Sequence, residues 1–214
     1  MTGAPDSVSA RIAGLCLTGS GRPSVVLAAS DAARCAVLVD LALAGRVVQT
    51  DTTIDVDPTP TGATAPDRLL AALVAAPERP LGEWYDERRF GLRDVVAGLV
   101  RDGSWERVRR PFRADRYRPV DTDGLQQDRE LRTSVPPDRQ DVVTASVLVL
   151  AGVAGLLAGD RGDVLVVEPG PAALAATGPV RWLCAELVEH LVWSRERDRY
   201  EARALRIGGV GTHP

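Results

Sequence analysis

Arginine is the residue type in this chain whose spacing most strongly suggests chemistry. Residues 88–118 contain ten arginines and four acidic residues, so this segment carries a net charge of +6. The whole chain of 214 residues has a net charge of -3, which leaves -9 for the rest. A planar guanidinium can donate two parallel hydrogen bonds to a phosphate group. The segment therefore predicts a phosphate-bearing partner, the alternative being a solvated arginine face paired with nearby acids.

Aromatic residues interleave with these arginines and leave two kinds of partner open. Phe112 and Tyr117 suit a hairpin that rests on an anionic lipid interface. They also suit a winged-helix-like DNA-binding protein, in which residues 91–102 would enter a groove and the Arg109–Arg110 hairpin would be the wing. The acidic isoelectric point of about 5.5 weighs against the DNA-binding alternative.

Enzymatic chemistry has little support in the sequence. His190 and His213 are the only histidines, and neither belongs to a recognisable Ser-His-acid or Cys-His arrangement. The glycine turn at residues 18–21 lacks the Gly-Lys-Ser/Thr ending of a phosphate-binding loop. The three cysteines form no C-x-x-C pair and suit neither a disulfide framework nor a zinc site: Cys16, Cys35 and Cys184. We therefore expect no enzyme activity, no metal and no cofactor.

The apolar patterns predict the elements that must position the arginines. Asp31 is expected to cap the N-terminus of a central buried helix that runs to Ala44 and ends at Gly45. The alternation over residues 48–56 predicts an extended segment, and residues 92–100 show the spacing of an amphipathic helix.

The remaining patterns predict a hairpin and two further helices. Strand-like runs at residues 105–108 and 112–117 flank Arg109, Arg110 and Pro111, which predicts a β-hairpin with a basic tip. The apolar run at residues 142–158 is at the lower length limit for a membrane span, and we favour a buried core helix. Residues 182–194 have the spacing of one long helix. The absence of a signal-like N-terminus predicts a cytoplasmic protein.

Three stretches together resemble the Golgi phosphoprotein 3 family in its actinobacterial branch. They are ARCAVLVDLALAGR at residues 33–46, PTG at residues 60–62 before Leu69–Leu70, and LVRDG at residues 99–103, which leads to Phe112 and Arg116–Tyr117. The resemblance covers about residues 12–158 and fades beyond about residue 160.

The resemblance implies a mainly α, single-domain helical bundle over residues 1–214, ringed by amphipathic helices, with a projecting β-hairpin for membrane contact and self-association. Eukaryotic members of the family bind phosphatidylinositol 4-phosphate through a Trp and several basic residues. Arg34 and Arg89 match two of these basic positions, and a third falls on Leu92 with Arg93 beside it. The family Trp has no counterpart near Val25, and the basic N-terminal arm is missing.

These inferences combine into one functional expectation. The chain should be a peripheral protein at the inner face of the membrane that binds anionic phospholipid headgroups, with an adaptor role and self-association through the hairpin as further expectations. The predicted lipid-binding residues are Arg34, Arg89 and Arg93. Arg34 and Arg89 should converge on one face, because a headgroup phosphate needs converging donors. The predicted hairpin contact residues are Arg109, Arg110, Phe112, Arg113 and Arg116.

Overall fold

The structure is a computed structural model that describes residues 7–24, 27–50, 54–120, 140–158 and 164–208. It is mainly helical, as predicted. The helices of the described part are α1 (Val8–Leu15), α2 (Leu27–Leu43), α3 (Thr64–Ala75), α4 (Leu81–Tyr85), α5 (Leu92–Arg101), α6 (Val142–Ala154), α7 (Pro171–Ala176) and α8 (Arg181–Gly208). The strands form three antiparallel pairs: β1 (Val47–Gln49) with β2 (Ile54–Val56), β3 (Trp105–Val108) with β4 (Arg116–Pro119), and β5 (Leu157–Ala158) with β6 (Val164–Leu165).

Helix α2 is the centre of the molecule. It contacts α1, α3, α5, α6 and α8, and residues 32–39 are buried all around it. The apolar circumference of this helix explains that position, because a helix that is apolar on every side is stable only when it is surrounded. The prediction of a buried central helix is confirmed. Gly45, just past its end, has a φ of +68°, as expected for a left-handed terminus.

The predicted N-cap at Asp31 is wrong. Helix α2 begins at Leu27, so Asp31 lies inside the helix rather than at its start. Its carboxylate instead accepts hydrogen bonds from Arg34 and from Ser194 of α8. Ser194 is distant in sequence from Asp31, and so no local pattern could have indicated this partner.

Helix α6 is a core helix, as predicted. Most of its residues are buried, and the Asp141 carboxylate caps its N-terminus by accepting the backbone N–H of Thr144 at 2.9 Å. The helix is shorter than predicted because Gly155 adopts a left-handed conformation, with a φ of +69°, and strand β5 follows. None of the helices in the described ranges is both long and apolar enough to cross a bilayer.

The hairpin of β3 and β4 is confirmed, but its second strand lies later than predicted. Trp105 pairs with Pro119 and Val108 pairs with Arg116, so Phe112 belongs to the connecting loop. Phe112 has a φ of +60°, a conformation that turns the chain and that a non-glycine residue rarely adopts. Helix α5 leads into β3, and the predicted long C-terminal helix is confirmed as α8.

Candidate functional site

The first candidate surface is an exposed group of three arginines between α4 and α5. We call Arg88, Arg89 and Arg93 the loop cluster. All three residues are exposed, and no acidic side chain among the described residues forms an ion pair with them. Their charge is therefore available to an anionic partner.

The segment that carries this cluster is held from below by a buried arginine of α2. Arg34 is only 2% exposed. Its Nε donates to the carbonyl oxygen of Phe90 at 2.8 Å, and its Nη1 donates to the carbonyl oxygen of Tyr85 and to the Asp31 carboxylate. Residues 85 and 90 enclose Arg88 and Arg89, so the buried guanidinium fixes both ends of the segment that bears them.

Helix α8 completes this buried network. The Tyr85 hydroxyl donates to the Glu186 carboxylate at 2.6 Å, and Ser194 donates to Asp31. Burial and the Glu186 carboxylate raise the pKa of Tyr85 above its usual range, so this phenol remains a hydrogen-bond donor. The network ties α2, α8 and the arginine-bearing segment together.

The start of α5 is fixed by close packing on α2. The backbone N–H of Leu92 donates to the Ser30 hydroxyl at 3.3 Å, and that of Gly91 donates to the Asp94 carboxylate at 2.9 Å. A Cβ atom at Gly91 would lie 2.5 Å from the Ser30 hydroxyl oxygen, so a larger residue there would require the Ser30 side chain to move. This packing fixes the start of the helix that carries Arg93.

Arg34 contacts the segment that carries Arg89, but the two side chains lie at different depths. Arg34 bonds the carbonyl of the residue next to Arg89, yet its side chain is buried while Arg89 is exposed. With hydrogen bonds to three protein acceptors, Arg34 holds the segment in place. A phosphate site shared by the two guanidinium groups stays a prediction.

The second candidate surface is the end of the β3–β4 hairpin. Two of its three strand arginines are neutralised: Arg107 pairs with Asp115, and Arg118 pairs with Glu106 at 2.6 Å. The alternative of a solvated face paired with local acids therefore holds for these two residues. It does not hold for the loop between them.

We call Arg109, Arg110, Phe112 and Arg113 the hairpin tip. Arg109 and Arg113 are exposed, Arg110 is half-buried, and the Phe112 side chain is fully exposed. None of the three arginines forms an ion pair with another described residue. An aromatic ring surrounded by unpaired arginines suits a surface that offers both phosphate and apolar groups.

Arg116 differs from the other predicted hairpin residues. It lies on β4, is half-buried, and its Nε has no hydrogen-bond acceptor in the described part of the chain. The neighbouring Tyr117 backbone N–H donates to the carbonyl oxygen of Gly21 at 2.7 Å. Residues 16–24, which we call the N-terminal loop, thus cover the outer edge of β4 beside Arg116.

The cysteine thiols are unsuited to nucleophilic chemistry. All three are buried and free. Burial raises the pKa of Cys16 to about 12 and raises the pKa of Cys35 and of Cys184 above the ordinary thiol range. They are therefore protonated at neutral pH. Within the described residues, no three side chains of His, Cys, Asp or Glu are grouped so that they could hold a metal ion.

Sequence reasoning missed two residues that shape the loop cluster. Arg88 is exposed beside Arg89, and the Glu87 carboxylate accepts the Arg89 backbone N–H at 3.0 Å while it pairs with Arg79 at 2.7 Å. The available signal was a basic residue, Arg79, followed at intervals of four residues by two acids, Glu83 and Glu87, because opposite charges at this spacing pair readily on a helix.

Comparison with known proteins agrees with the resemblance. The family model described as Golgi phosphoprotein 3 (GPP34) matches residues 15–210. The match continues well beyond residue 160, where the resemblance in residue types was expected to fade. A search of curated proteins finds no match to this chain.

Proposed function

The chain belongs to the Golgi phosphoprotein 3 family, and we propose that it is a peripheral membrane protein that binds anionic phospholipid headgroups. The observation that carries the proposal is the distribution of unpaired charge. Two of the three arginines on the strands of the hairpin, Arg107 and Arg118, are neutralised by acids, whereas those of the loop cluster and the hairpin tip are not. Unpaired guanidinium groups with exposed donors suit phosphate oxygens.

The energetics suit reversible recruitment. A basic residue close to an anionic leaflet contributes about 1 kcal/mol, and the attraction decays over a Debye length of about 8 Å at physiological salt. Three arginines of one cluster would therefore supply about 3 kcal/mol when they face the bilayer. The exposed Phe112 ring adds an apolar contact with the membrane interface.

The finer proposal is that phosphatidylinositol 4-phosphate is the preferred lipid, with an adaptor role, as the family resemblance implies. Arg89 and Arg93 supply exposed donors for its phosphate, and the buried Arg34 holds their segment in place. We place the protein at the inner face of the membrane in the cytoplasm. Self-association through the hairpin is a further part of the proposal.

Vesicle flotation tests the proposal. The wild-type chain should float with phosphatidylcholine vesicles that contain phosphatidylserine or phosphatidylinositol 4-phosphate, and it should stay at the bottom with phosphatidylcholine alone. At matched total lipid charge, stronger flotation with phosphatidylinositol 4-phosphate supports the finer proposal, and equal flotation contradicts it. Equal binding to neutral vesicles would overturn membrane recruitment by charge.

Two variants of equal charge sharpen this experiment. The loop-cluster variant carries Arg88→Gln, Arg89→Gln and Arg93→Gln, and we expect a loss of affinity of about 100-fold, which corresponds to about 3 kcal/mol. The control variant carries Arg68→Gln, Arg107→Gln and Arg118→Gln, all of which are arginines in surface ion pairs. The control should lose far less affinity. A DNA gel shift at the same salt concentration tests the winged-helix alternative. Tighter binding of the chain to DNA than to vesicles would favour that alternative.

A further inference from the structure

The exposed face of α8 alternates acidic and aromatic residues. Glu189, Trp193, Glu196 and Tyr200 follow one another at intervals of four, three and four residues, so they lie in one row along the helix. We call these four residues the α8 stripe. All of them are exposed, Trp193 at 52% and Tyr200 at 75%. Neither carboxylate forms an ion pair with another described side chain, so the stripe presents unpaired negative charge beside two exposed rings.

The charged groups around the stripe leave it acidic. The Arg197 guanidinium lies 4.5 Å from the centroid of the Trp193 ring, and it pairs with Asp86 at 3.7 Å. Glu186, one helical turn before the stripe, is exposed and accepts the Tyr85 hydroxyl, which is neutral. Because Asp86 offsets Arg197, the acids of this face are not neutralised.

An anionic membrane does not suit this face of α8. The carboxylates on either side of Trp193 would approach the phosphate groups of the bilayer, and like charges repel. Arginine suits the stripe better, because a guanidinium both pairs with a carboxylate and stacks on an aromatic ring. The α8 stripe therefore favours an arginine-rich protein surface.

The hairpin tip of a second copy has this chemistry, since its three arginines without ion pairs lie around the exposed Phe112 ring. Within one molecule, no ion pair or cation–π contact joins the tip to α8 in the described ranges. We infer that the hairpin tip of one copy docks on the α8 stripe of another, with its arginines against Glu189, Trp193 and Glu196. The inference rests on the proposed self-association through the hairpin and names the surface that receives the tip.

This contact joins two different surfaces of the chain. Each copy offers one tip and one stripe, so copies associate head to tail and form rings or open chains. The alternative is a contact between two tips, which would place unpaired arginines against one another. Like charges in an interface disfavour association, and the tip–stripe contact avoids this cost.

Sedimentation velocity of the full chain without lipid tests the inference. The stripe variant carries Glu189→Arg and Glu196→Arg, and the tip variant carries Arg109→Glu and Arg113→Glu. The wild type should sediment faster as its concentration rises. Each variant should associate at least about 30-fold more weakly, which corresponds to about 2 kcal/mol. The chain with all four substitutions has opposite charges on tip and stripe again, and its association should recover.

Mixing the two variants distinguishes the tip–stripe contact from a tip–tip contact. An equimolar mixture should associate although neither variant does so alone, because each variant supplies the charge that the other lacks. In a tip–tip contact, the stripe variant alone would associate as the wild type does. The matched control carries Glu78→Arg and Glu168→Arg, two exposed acids outside α8 that form no ion pair with a described residue, and it should also associate as the wild type does.

Trp193 reports the contact without any change to the stripe. Its indole NMR resonance should shift with concentration in the wild type and stay constant in the tip variant. The indole resonance of Trp84, which is only 4% exposed, should stay constant in both. Thermal melting of each variant shows that it is folded before association is compared.

The inference fails on any of three results: the wild type stays monomeric, the stripe variant associates as the wild type does, or the four substitutions together do not recover association. A stripe variant that associates normally beside a tip variant that does not would retain self-association through the hairpin and reject α8 as its receiving surface. If the stripe variant changes vesicle flotation and the wild type does not associate, α8 faces the membrane instead. Since association is measured without lipid, this test and the test of phospholipid binding can fail separately.

Discussion

Arg34 is a buried residue whose hydrogen bonds hold an exposed, arginine-bearing segment in place. Its position on a helix that is apolar all around indicated burial, and its charge indicated a ligand. In the structure Arg34 is buried, and its ligands are groups of the protein itself. Asp31 and the carbonyl groups of Tyr85 and Phe90 accept its hydrogen bonds. Two of these acceptors are backbone atoms more than fifty residues away in sequence. Local sequence patterns contain no information about such contacts, so these hydrogen-bond partners of Arg34 could not be predicted.

Removing the Arg34 charge should unfold the protein before it affects lipid contacts. Arg34→Met would leave Asp31 as an unpaired buried carboxylate, so we expect a loss of about 3–5 kcal/mol in the free energy of unfolding. The double variant Asp31→Leu with Arg34→Met should recover part of this loss. Urea denaturation measures both effects, with the exposed Arg89→Gln as a control that should change stability by less than about 0.5 kcal/mol. A stable Arg34→Met variant with weakened vesicle binding would instead indicate direct headgroup contact.

Asp40 gives the protein a predictable dependence of stability on pH. It lies on α2 and accepts the backbone N–H groups of Val8 and Ser9 at 2.8 and 3.0 Å, and burial raises its pKa to about 6. Between pH 6 and the ordinary pKa range of Asp, the Asp40 carboxyl is protonated in the folded state to a larger extent than in the unfolded state. The Asp40 contribution to stability therefore increases as the pH falls.

The comparison with Asp40→Asn isolates this effect. The free energy of unfolding of the wild type, relative to the variant, should rise by about 1 kcal/mol between pH 7.5 and pH 5. Urea denaturation at several pH values in this interval measures the difference. A difference that stays constant or shrinks toward low pH would show that the folded-state pKa of Asp40 is not raised.

At the scale of elements, prediction succeeded where the pattern is local and repeated. The amphipathic spacing of α5 and the apolar spacing of α8 determine which face is buried, and both helices form where expected. The prediction of β4 was wrong, since the strand begins at Arg116 and not at Phe112. The cause is a contact from elsewhere: the N-terminal loop pairs with β4 at Gly21, and this fixes the strand near Tyr117.

Gly21 should therefore determine how firmly strand β4 of the hairpin is held in place. Its φ is +74°, and a Cβ atom there would lie 2.9 Å from the Tyr117 carbonyl oxygen. We expect Gly21→Val to lower stability by about 1–3 kcal/mol and to speed amide hydrogen exchange at Tyr117. Gly19→Ala is the matched control, because a Cβ atom at Gly19 has no neighbour within 4 Å. Equal exchange at Tyr117 in both variants would mean that the N-terminal loop does not hold the strand.

At the scale of the whole molecule, two sets of unpaired arginines lie at opposite ends of α5. The loop cluster is at its N-terminal end, and the hairpin follows its C-terminal end. Ten helical residues span about 15 Å, a distance that a membrane surface covers easily but a single lipid headgroup does not. The arrangement suggests that one set could recognise a headgroup while the other adds general attraction to the bilayer.

Combining the two sets of substitutions tests whether both face the same membrane. The hairpin variant with Arg109→Gln, Arg110→Gln and Arg113→Gln should lose about 3 kcal/mol of binding free energy, as the loop-cluster variant should. If both sets contact one bilayer, the losses add, because residues that are far apart and do not contact each other contribute independently. The variant with all six substitutions would then show no measurable binding to anionic vesicles. Vesicle partitioning over a series of lipid and salt concentrations gives the free energies, and thermal melting shows that each variant is folded. If one three-residue variant already abolishes binding and the other has none of the expected effect, a single set faces the membrane, and the remaining arginines are left for another partner, such as a second copy of the chain.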